Sequence, residues 1–494
     1  MFLKSGSGAV LGAALALGEA PAHAAPAPQW DEEFDVVIVG SGLASAVAAC
    51  AALDRGAKVL ILEKMGVVGG TGVASNGTFA VVGSPQQAKA GITHDTWEVF
   101  YQDNLKEGQN FCQPELIKHL SQSSRKAYDF MIAHGAKFED YLIPFPGQSI
   151  NRLLQPKTNC LTGMLQPLYA YLRGKGATVR TRCRVDALVF GADGAVEGVR
   201  LRENYYFDAK LDSDDIENRS GTPRTIRARR GVICGTGGFA HDKPFMAQEF
   251  PQLTSVFSTQ QIGSTASGFR VLANAGARMV HTSFFRPAFP QANNMGRGLM
   301  VDVLSGQRFT NETLGRLPQF HAAARLMASN GGRIPIAILD ADTYPNLVDL
   351  PHFNVNIDAG WVTRHDSIES IAQKFQIPLD ELKKTIARYN RMIEQGKDSD
   401  FGANLEFGKR NKLDRAPYYV AMVRPDLNST LGGALINTQA QVIGLNTNRP
   451  IPGLYAAGEA SGGVLGHSRL LGCATLSCTV FGMAAGYDVA ARKA

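Results

Sequence analysis

Residues 33–45 read EFDVVIVGSGLAS. The run 33–39 is β-rich and ends on Gly40-Ser41-Gly42, and an Ala-rich stretch of helical character follows over 46–55. The chain turns apolar again at 58–62 (KVLIL) and reaches Glu63. Strand, glycine turn, helix, strand and acid in that order form the layout of a dinucleotide-binding βαβ unit. Gly40 permits the tight turn, and Gly42 lets backbone amides approach a pyrophosphate at the helix N-terminus, where the dipole favours anions. The third glycine position holds Ser45, small enough for the helix to pack on the strand. Glu63, 23 residues beyond Gly40, stands where a carboxylate can bond a ribose hydroxyl.

The next residues separate two kinds of dinucleotide. Residues 64–77 (KMGVVGGTGVASNG) make a glycine- and hydroxyl-rich loop where an NAD domain would usually enter another helix. FAD proteins thread a loop under the cofactor here. Two later pieces fit FAD as well: 231–239 (GVICGTGGF) is a strand running into a glycine turn, and 452–459 (PGLYAAGE) is a strand ending in Gly-Glu. Their spacing is that of a split FAD domain closing over its cofactor.

Composition agrees and excludes other classes. Hydrophobic residues at 45% and charged residues at 19% are those of a globular chain, and 494 residues allow two or three domains. At the usual ~7% glycine a chain of this length carries about 35, and this one has 52, clustered in turns with no collagen period. Lys+Arg 50 against Asp+Glu 44 gives +6 without a dense basic run, so nothing points to nucleic acid. Seven scattered cysteines form neither a disulfide framework nor a CxxC metal pattern, no metal is expected, and CxxCH is absent. Residues 1–28 differ from the rest. Lys4, the short apolar stretch 9–18 and Ala22-His23-Ala24 have the layout of an export signal cleaved after Ala24. Phe2-Leu3-Lys4 resembles the tail of a twin-arginine motif, so the expected start lies upstream of Met1 and the expected location is periplasmic or secreted. No segment is long and apolar enough to span a bilayer.

Several segments in order, VVIVGSGLASA, LILEKMGVVGGTGVASNG, GVICGTGGFA, GQRFTNETLGR and GLYAAGEASGGVLGHSRLLGCA, give the chain after residue 33 its resemblance to the soluble fumarate reductase/succinate dehydrogenase flavoprotein family. The resemblance implies an α/β fold, a split Rossmann-like FAD-binding domain over 33–278 and 430–494 with an inserted α+β substrate-capping domain over 279–429. The insert would hold a helical segment around 368–395. Carried over residue by residue, Gly40, Gly42, Leu43, Ala44, Glu63, Lys64, Gly69, Gly70, Thr71, Ser75, Asn76 and Gly77 would hold the ADP moiety and flavin. Val185 would meet the adenine. Thr236, Gly237, Gly458 and Glu459 would complete the flavin site, with Ala474 and Thr475 beside the pyrimidine end of the ring.

The resemblance also implies an FAD-dependent oxidoreductase acting on a CH–CH bond, by hydride transfer at flavin N5 and proton transfer at the neighbouring carbon. Arg316, four residues past Glu312, matches the family's proton donor, Arg469 matches the arginine that clamps a substrate carboxylate with its bidentate fork, and Glu312, Arg286 and Ser429 are expected to join them in the catalytic site. The departures are specific. Ser429 stands in place of a histidine, Arg286-Pro287 in place of His-Pro, and 291–298 has no Thr-Glu pair. The expected substrate is therefore an α,β-unsaturated acid other than plain fumarate, gripped at one carboxylate by Arg469 with help from Arg286, while His467, Ser468 and Cys473 either touch substrate or pack. With no CxxCH, electrons must come through a separate partner such as a cytochrome or a quinone-linked protein, or go to oxygen. Two rivals remain at this level: a ketone- or ketosteroid-type desaturating dehydrogenase, and an exported flavin electron carrier with no substrate chemistry.

Overall fold

The computed structural model describes residues 29–493 apart from 144–146, 159, 252, 254–255, 290–297, 315, 347–353, 355 and 406–410. The leader expected over 1–28 and nearly all of 291–298 lie outside the described residues. The run that opens the first motif becomes the strand Glu32–Val39, buried from Phe34 onward. It pairs in parallel with Val59–Leu62 on one side and Thr222–Cys234 on the other, and the sheet continues to Thr178–Arg180 and to Pro450–Ala456. Near-continuous apolar strands are what a parallel sheet covered on both faces requires. The strands read at 231–239 and 452–459 are thus neighbours in space, and Thr222–Cys234 extends well upstream of its expected start to pair antiparallel with Val196–Glu203.

The helix Leu43–Leu53 is buried from Leu43 through Ala52 because three partners cover it. The sheet lies on one side, and the helices Thr162–Gly174 and Cys473–Ala491 pack on the others. Small residues permit the last contact: a Cβ at Gly482 would sit 2.7 Å from the Ala44 carbonyl oxygen, and one at Gly486 2.3 Å from that of Ala48. The close approach brings segments from the two ends of the chain together beside the first glycine turn.

A second layer is built on a four-stranded antiparallel sheet ordered Leu299–Val301, Ile336–Leu339, Tyr418–Met422, Val362–His365. Its side chains alternate between two cores as strand geometry demands. Met300, Ala337, Leu339 and Ala421 pack with Phe320 and Ala323 of the helix Arg316–Ser329, whereas Leu299, Ile336, Ile338 and Val420 pack with Ile371, Leu382 and Ile386. The single helical segment read around 368–395 is two helices, Ile368–Phe375 and Leu379–Gln395. Gln376 adopts φ 56° and Pro378 stands at the N-cap of the second helix, so the first helix ends in a left-handed turn and the residue before the second has no amide hydrogen to continue the ladder. The core that contains Phe320 also takes in Phe239, Met246 and Phe250, upstream of the boundary read at 278. Between the layers the strand Phe285–Ala288 pairs antiparallel with Asp426–Thr430, setting Arg286 directly opposite Ser429.

Candidate active site

The first glycine turn, the uncapped N-termini of two helices and the junction strands enclose a cavity of about 1340 Å³, open mouth included. Gly40 has φ +96°, and a Cβ on it would lie 2.4 Å from the Gly235 carbonyl oxygen, so the turn is tight because strand and turn touch. Gly42 is the opposite case, with nothing within 4 Å of its Cβ position. Its backbone faces open cavity. Leu43–Leu53 and Cys473–Ala491 both begin at this wall without a side-chain cap or an acid in the first turn, leaving amide hydrogens directed at whatever fills the space.

Residues from every segment read as cofactor-binding line this cavity: Gly40, Gly42, Leu43, Ala44, Glu63, Lys64, Gly70, Thr71, Ser75, Val185, Thr236, Gly237, Gly458, Glu459, Ala474 and Thr475. Gly69, Asn76 and Gly77 do not. They shape the loop instead, Gly69 N–H donating to Ser41 Oγ at 3.0 Å and the Asn76 carbonyl accepting from Gln155 at 2.7 Å. Glu63 accepts from Ser41 Oγ and from Met65 N–H; burial pushes its carboxyl up, and these bonds act against that. Lys64 reaches Thr265 Oγ1 at 2.6 Å and Asp215 at 3.6 Å, so its charge is shared with a buried network. The stretch Gln261, Gly263, Ser264, Ser267 and Gly268 also lines the cavity, although no motif singled it out. Its run of small and hydroxyl residues, QIGSTASG, was the available signal. An open cradle, free helix N-termini and an unpartnered Thr236 hydroxyl fit a dinucleotide with an anionic centre.

At the far end the groups are cationic. Arg469 Nη2 donates to Asn428 Oδ1 at 3.0 Å and Arg286 Nη1 reaches the same oxygen at 3.4 Å, so one amide bridges two guanidiniums. Asn428 was not read from the sequence as a site residue, and only its place beside Ser429 could have flagged it. Arg316 opens the helix Arg316–Ser329. Burial first, then the Arg469 charge, pushes its guanidinium below the ordinary arginine value, and the positive helix end acts in the same direction. Burial drives Arg286 well down, helped by Arg469 and Arg316, and burial also lowers Arg469, against the pull of Glu459. The three arginines read from separate motifs therefore lie within one another's fields. The Ser429 and Thr430 hydroxyls, Arg469 Nε and His467 Nδ1 are buried there without a partner.

Glu312 does not join them. Arg308 grips it through Nε at 3.0 Å and Nη2 at 2.7 Å, Met300 N–H donates to it, and Arg308 also holds Asp398. A carboxylate so enclosed anchors the loop that leads to Arg316, which corrects its reading as a catalytic group. Cys473 is buried with its thiol against Asn104 Oδ1 at 3.2 Å, a packing position.

Residues 35–475 match the family described as FAD binding domain. The acrylate reductase flavoprotein subunit of Shewanella woodyi is 34% identical, over 98% of this chain and 96% of that protein. The fumarate reductase (cytochrome) of Shewanella frigidimarina is 32% identical, over 97% of this chain and 81% of that one. The open conformation of a flavocytochrome c3 fumarate reductase superposes with a TM-score of 0.79 at 27% identity, covering 93% of this chain and 78% of that one. None of the described helices is long and apolar enough to cross a membrane.

Proposed function

The chain belongs to the FAD binding domain family, and from that premise we propose that it reduces the carbon–carbon double bond of an α,β-unsaturated monocarboxylate rather than plain fumarate, with Arg316 as proton donor and Arg469 as carboxylate clamp. It is an FAD-dependent oxidoreductase acting on CH–CH groups. FAD, when bound, supplies the hydride. The observation that carries the reading is the pair of guanidiniums on Asn428: among the described residues neither Arg286 nor Arg469 has a carboxylate at ion-pair distance, and Arg469 Nε and Ser429 Oγ have no partner. Buried cations and donors left open in this way favour an anionic ligand.

Held by Arg469 and Arg286, a substrate carboxylate draws electron density away from the double bond, so hydride goes to the β-carbon and the proton to the α-carbon. Arg316 delivers that proton. An ordinary guanidinium is a poor acid, but burial, a neighbouring like charge and the positive end of its own helix all weaken its hold on the proton. Glu63, Lys64, Thr236, Gly237, Glu459 and Thr475 would hold the cofactor. The segment 279–429 would act as the cap that closes over substrate. Acrylate, the substrate in the name of the Shewanella woodyi relative, has the single carboxylate this grip accommodates. Electron delivery by a separate carrier is part of the same proposal, and the leader pattern from Lys4 to Ala24 supports export.

The test is a panel of substrates offered to the dye-reduced holoprotein. Monocarboxylic enoates should reoxidise the flavin and fumarate should do so poorly. Reoxidation by enones alone would replace this reading with the ketone-dehydrogenase one, and reoxidation by no member of the panel would leave an electron carrier.

A further inference from the structure

Besides Glu459, one acid acts on the arginine cluster from outside the sequence motifs. Glu107 is the last residue of the helix Trp97–Glu107. That helix end is fastened to the loop carrying Arg469. His467 N–H donates to the Gly108 carbonyl at 3.1 Å, and Ser468 Oγ donates to Glu107 Oε1 at 2.8 Å. The two segments touch so closely that a Cβ on Gly466 would lie 2.5 Å from the Gly108 oxygen. The hydrogen bond thus holds the carboxylate against the residue next to the clamp arginine, and its charge is among those acting on Arg286, Arg316 and Arg469, after burial and the other charges there. Its partner in that bond is a hydroxyl rather than a guanidinium, so its field is directed at the cluster without closing it.

Three guanidiniums within one another's fields would suit a dicarboxylate, and gathering buried cations is costly. A fixed carboxylate offsets one of those charges and repels any further anion brought to the same place. We propose that Glu107 is a specificity-determining residue: its carboxylate takes the share of the arginine field that a second substrate carboxylate would use, so the pocket selects monocarboxylates over dicarboxylates. The proposal rests on the enoate reading of the same site. It uses repulsion to set specificity, since discrimination depends on the difference between two affinities.

The experiment compares holoenzyme carrying Glu107→Gln or Glu107→Asp with the unaltered holoenzyme. Dissociation constants for propionate and succinate are read from flavin absorption changes, and kcat/KM for acrylate and fumarate from oxidation of a reduced dye. Glu107→Gln should raise both the succinate-to-propionate affinity ratio and the fumarate-to-acrylate kcat/KM ratio by about tenfold or more, chiefly through the dicarboxylate KM. Glu107→Asp, which keeps the charge, should stay much nearer the original ratios. Ratios that stay within about twofold in flavin-loaded Glu107→Gln would overturn the proposal, as would equal weakening of both ligand classes, the mark of a purely structural contact. Should the unaltered enzyme reduce no enoate, the parent reading fails, while the propionate and succinate constants still decide the role of Glu107.

Discussion

The two ends of the central cavity are made of different materials. At the pyrophosphate end the wall is backbone: Gly40 against Gly235, Gly42 open to the cavity, and polar side chains that satisfy one another, Glu63 with Ser41 and Lys64 with Thr265. At the arginine end the wall is side chain, and several polar atoms have no partner, among them Arg469 Nε, Ser429 Oγ, Thr430 Oγ1 and His467 Nδ1. The first end holds its ligand mainly by shape and peptide dipoles, and apart from the Thr236 hydroxyl and the open helix amides its polar groups are already satisfied. The second end stores its capacity as unpaired donors and mutually repelling charges, an arrangement that becomes favourable when an anion arrives.

The largest effect should fall at the arginine end and on rate. Arg316→Ala should lower kcat by about a thousandfold, within the usual range for losing a positioned acid, while flavin content and absorption stay near normal. Arg469→Gln should act on KM for the enoate instead, by about a hundredfold, because it removes a charged contact to the substrate in the ground state as well as the transition state. Steady-state kinetics of the two variants separate the roles. If Arg316→Ala turned over at a near-normal rate, or if both variants only raised KM, the assignment of donor and clamp would be lost.

A smaller effect should appear at the pyrophosphate end and on stability. Gly40→Ala places a methyl group 2.4 Å from a carbonyl oxygen at a residue with φ +96°. Strain of both kinds should cost about 3 kcal/mol and release FAD during purification, measurable as flavin per chain and as a lowered unfolding midpoint. A variant that retained full flavin would mean that the turn can relax, and the contrast between a rigid end and a charged end would weaken.

The same contrast explains what the sequence disclosed. The pyrophosphate end was legible because its determinants are local: two glycines, a helix and an acid at fixed spacing, repeated in kind at 231–239 and 452–459. The arginine end assembles Glu107, Arg286, Arg316, Asn428 and Arg469 from five separate stretches, and the first and fourth carried no signal. Arg316 and Arg469 were found through the family resemblance rather than through any pattern of their own. Glu312 was misread for the opposite reason. It lies in a motif beside Arg316, yet Arg308, four residues before it on the same loop, claims its carboxylate. Proximity in sequence to a reactive group says little about which way a side chain turns. The break at Gln376 was missed because the apolar spacing on either side is helical, and only the Pro378 that follows marks where the amide ladder must stop.

The finest distinction between the ends concerns protons. Glu459 lines the cavity, accepts a hydrogen bond from Gln260 at 2.9 Å, and has its carboxyl pushed up to about 7 by burial, even though Arg469 and the bonds to it act downward. A carboxyl raised in the folded state keeps a proton that the unfolded chain has already released. Between the ordinary value of 4.5 and about 7 the folded form therefore binds more protons, and stability falls as pH rises through that window. In flavin-free protein, denaturant unfolding should yield about 2 kcal/mol less at pH 7 than at pH 5, and Glu459→Gln should remove most of that difference. An unchanged slope in Glu459→Gln would place the titrating group elsewhere and strip the charged end of its pH sensitivity. A slope made steeper by Arg469→Gln would sharpen the comparison instead, since the guanidinium is then what restrains Glu459 from holding its proton still more tightly.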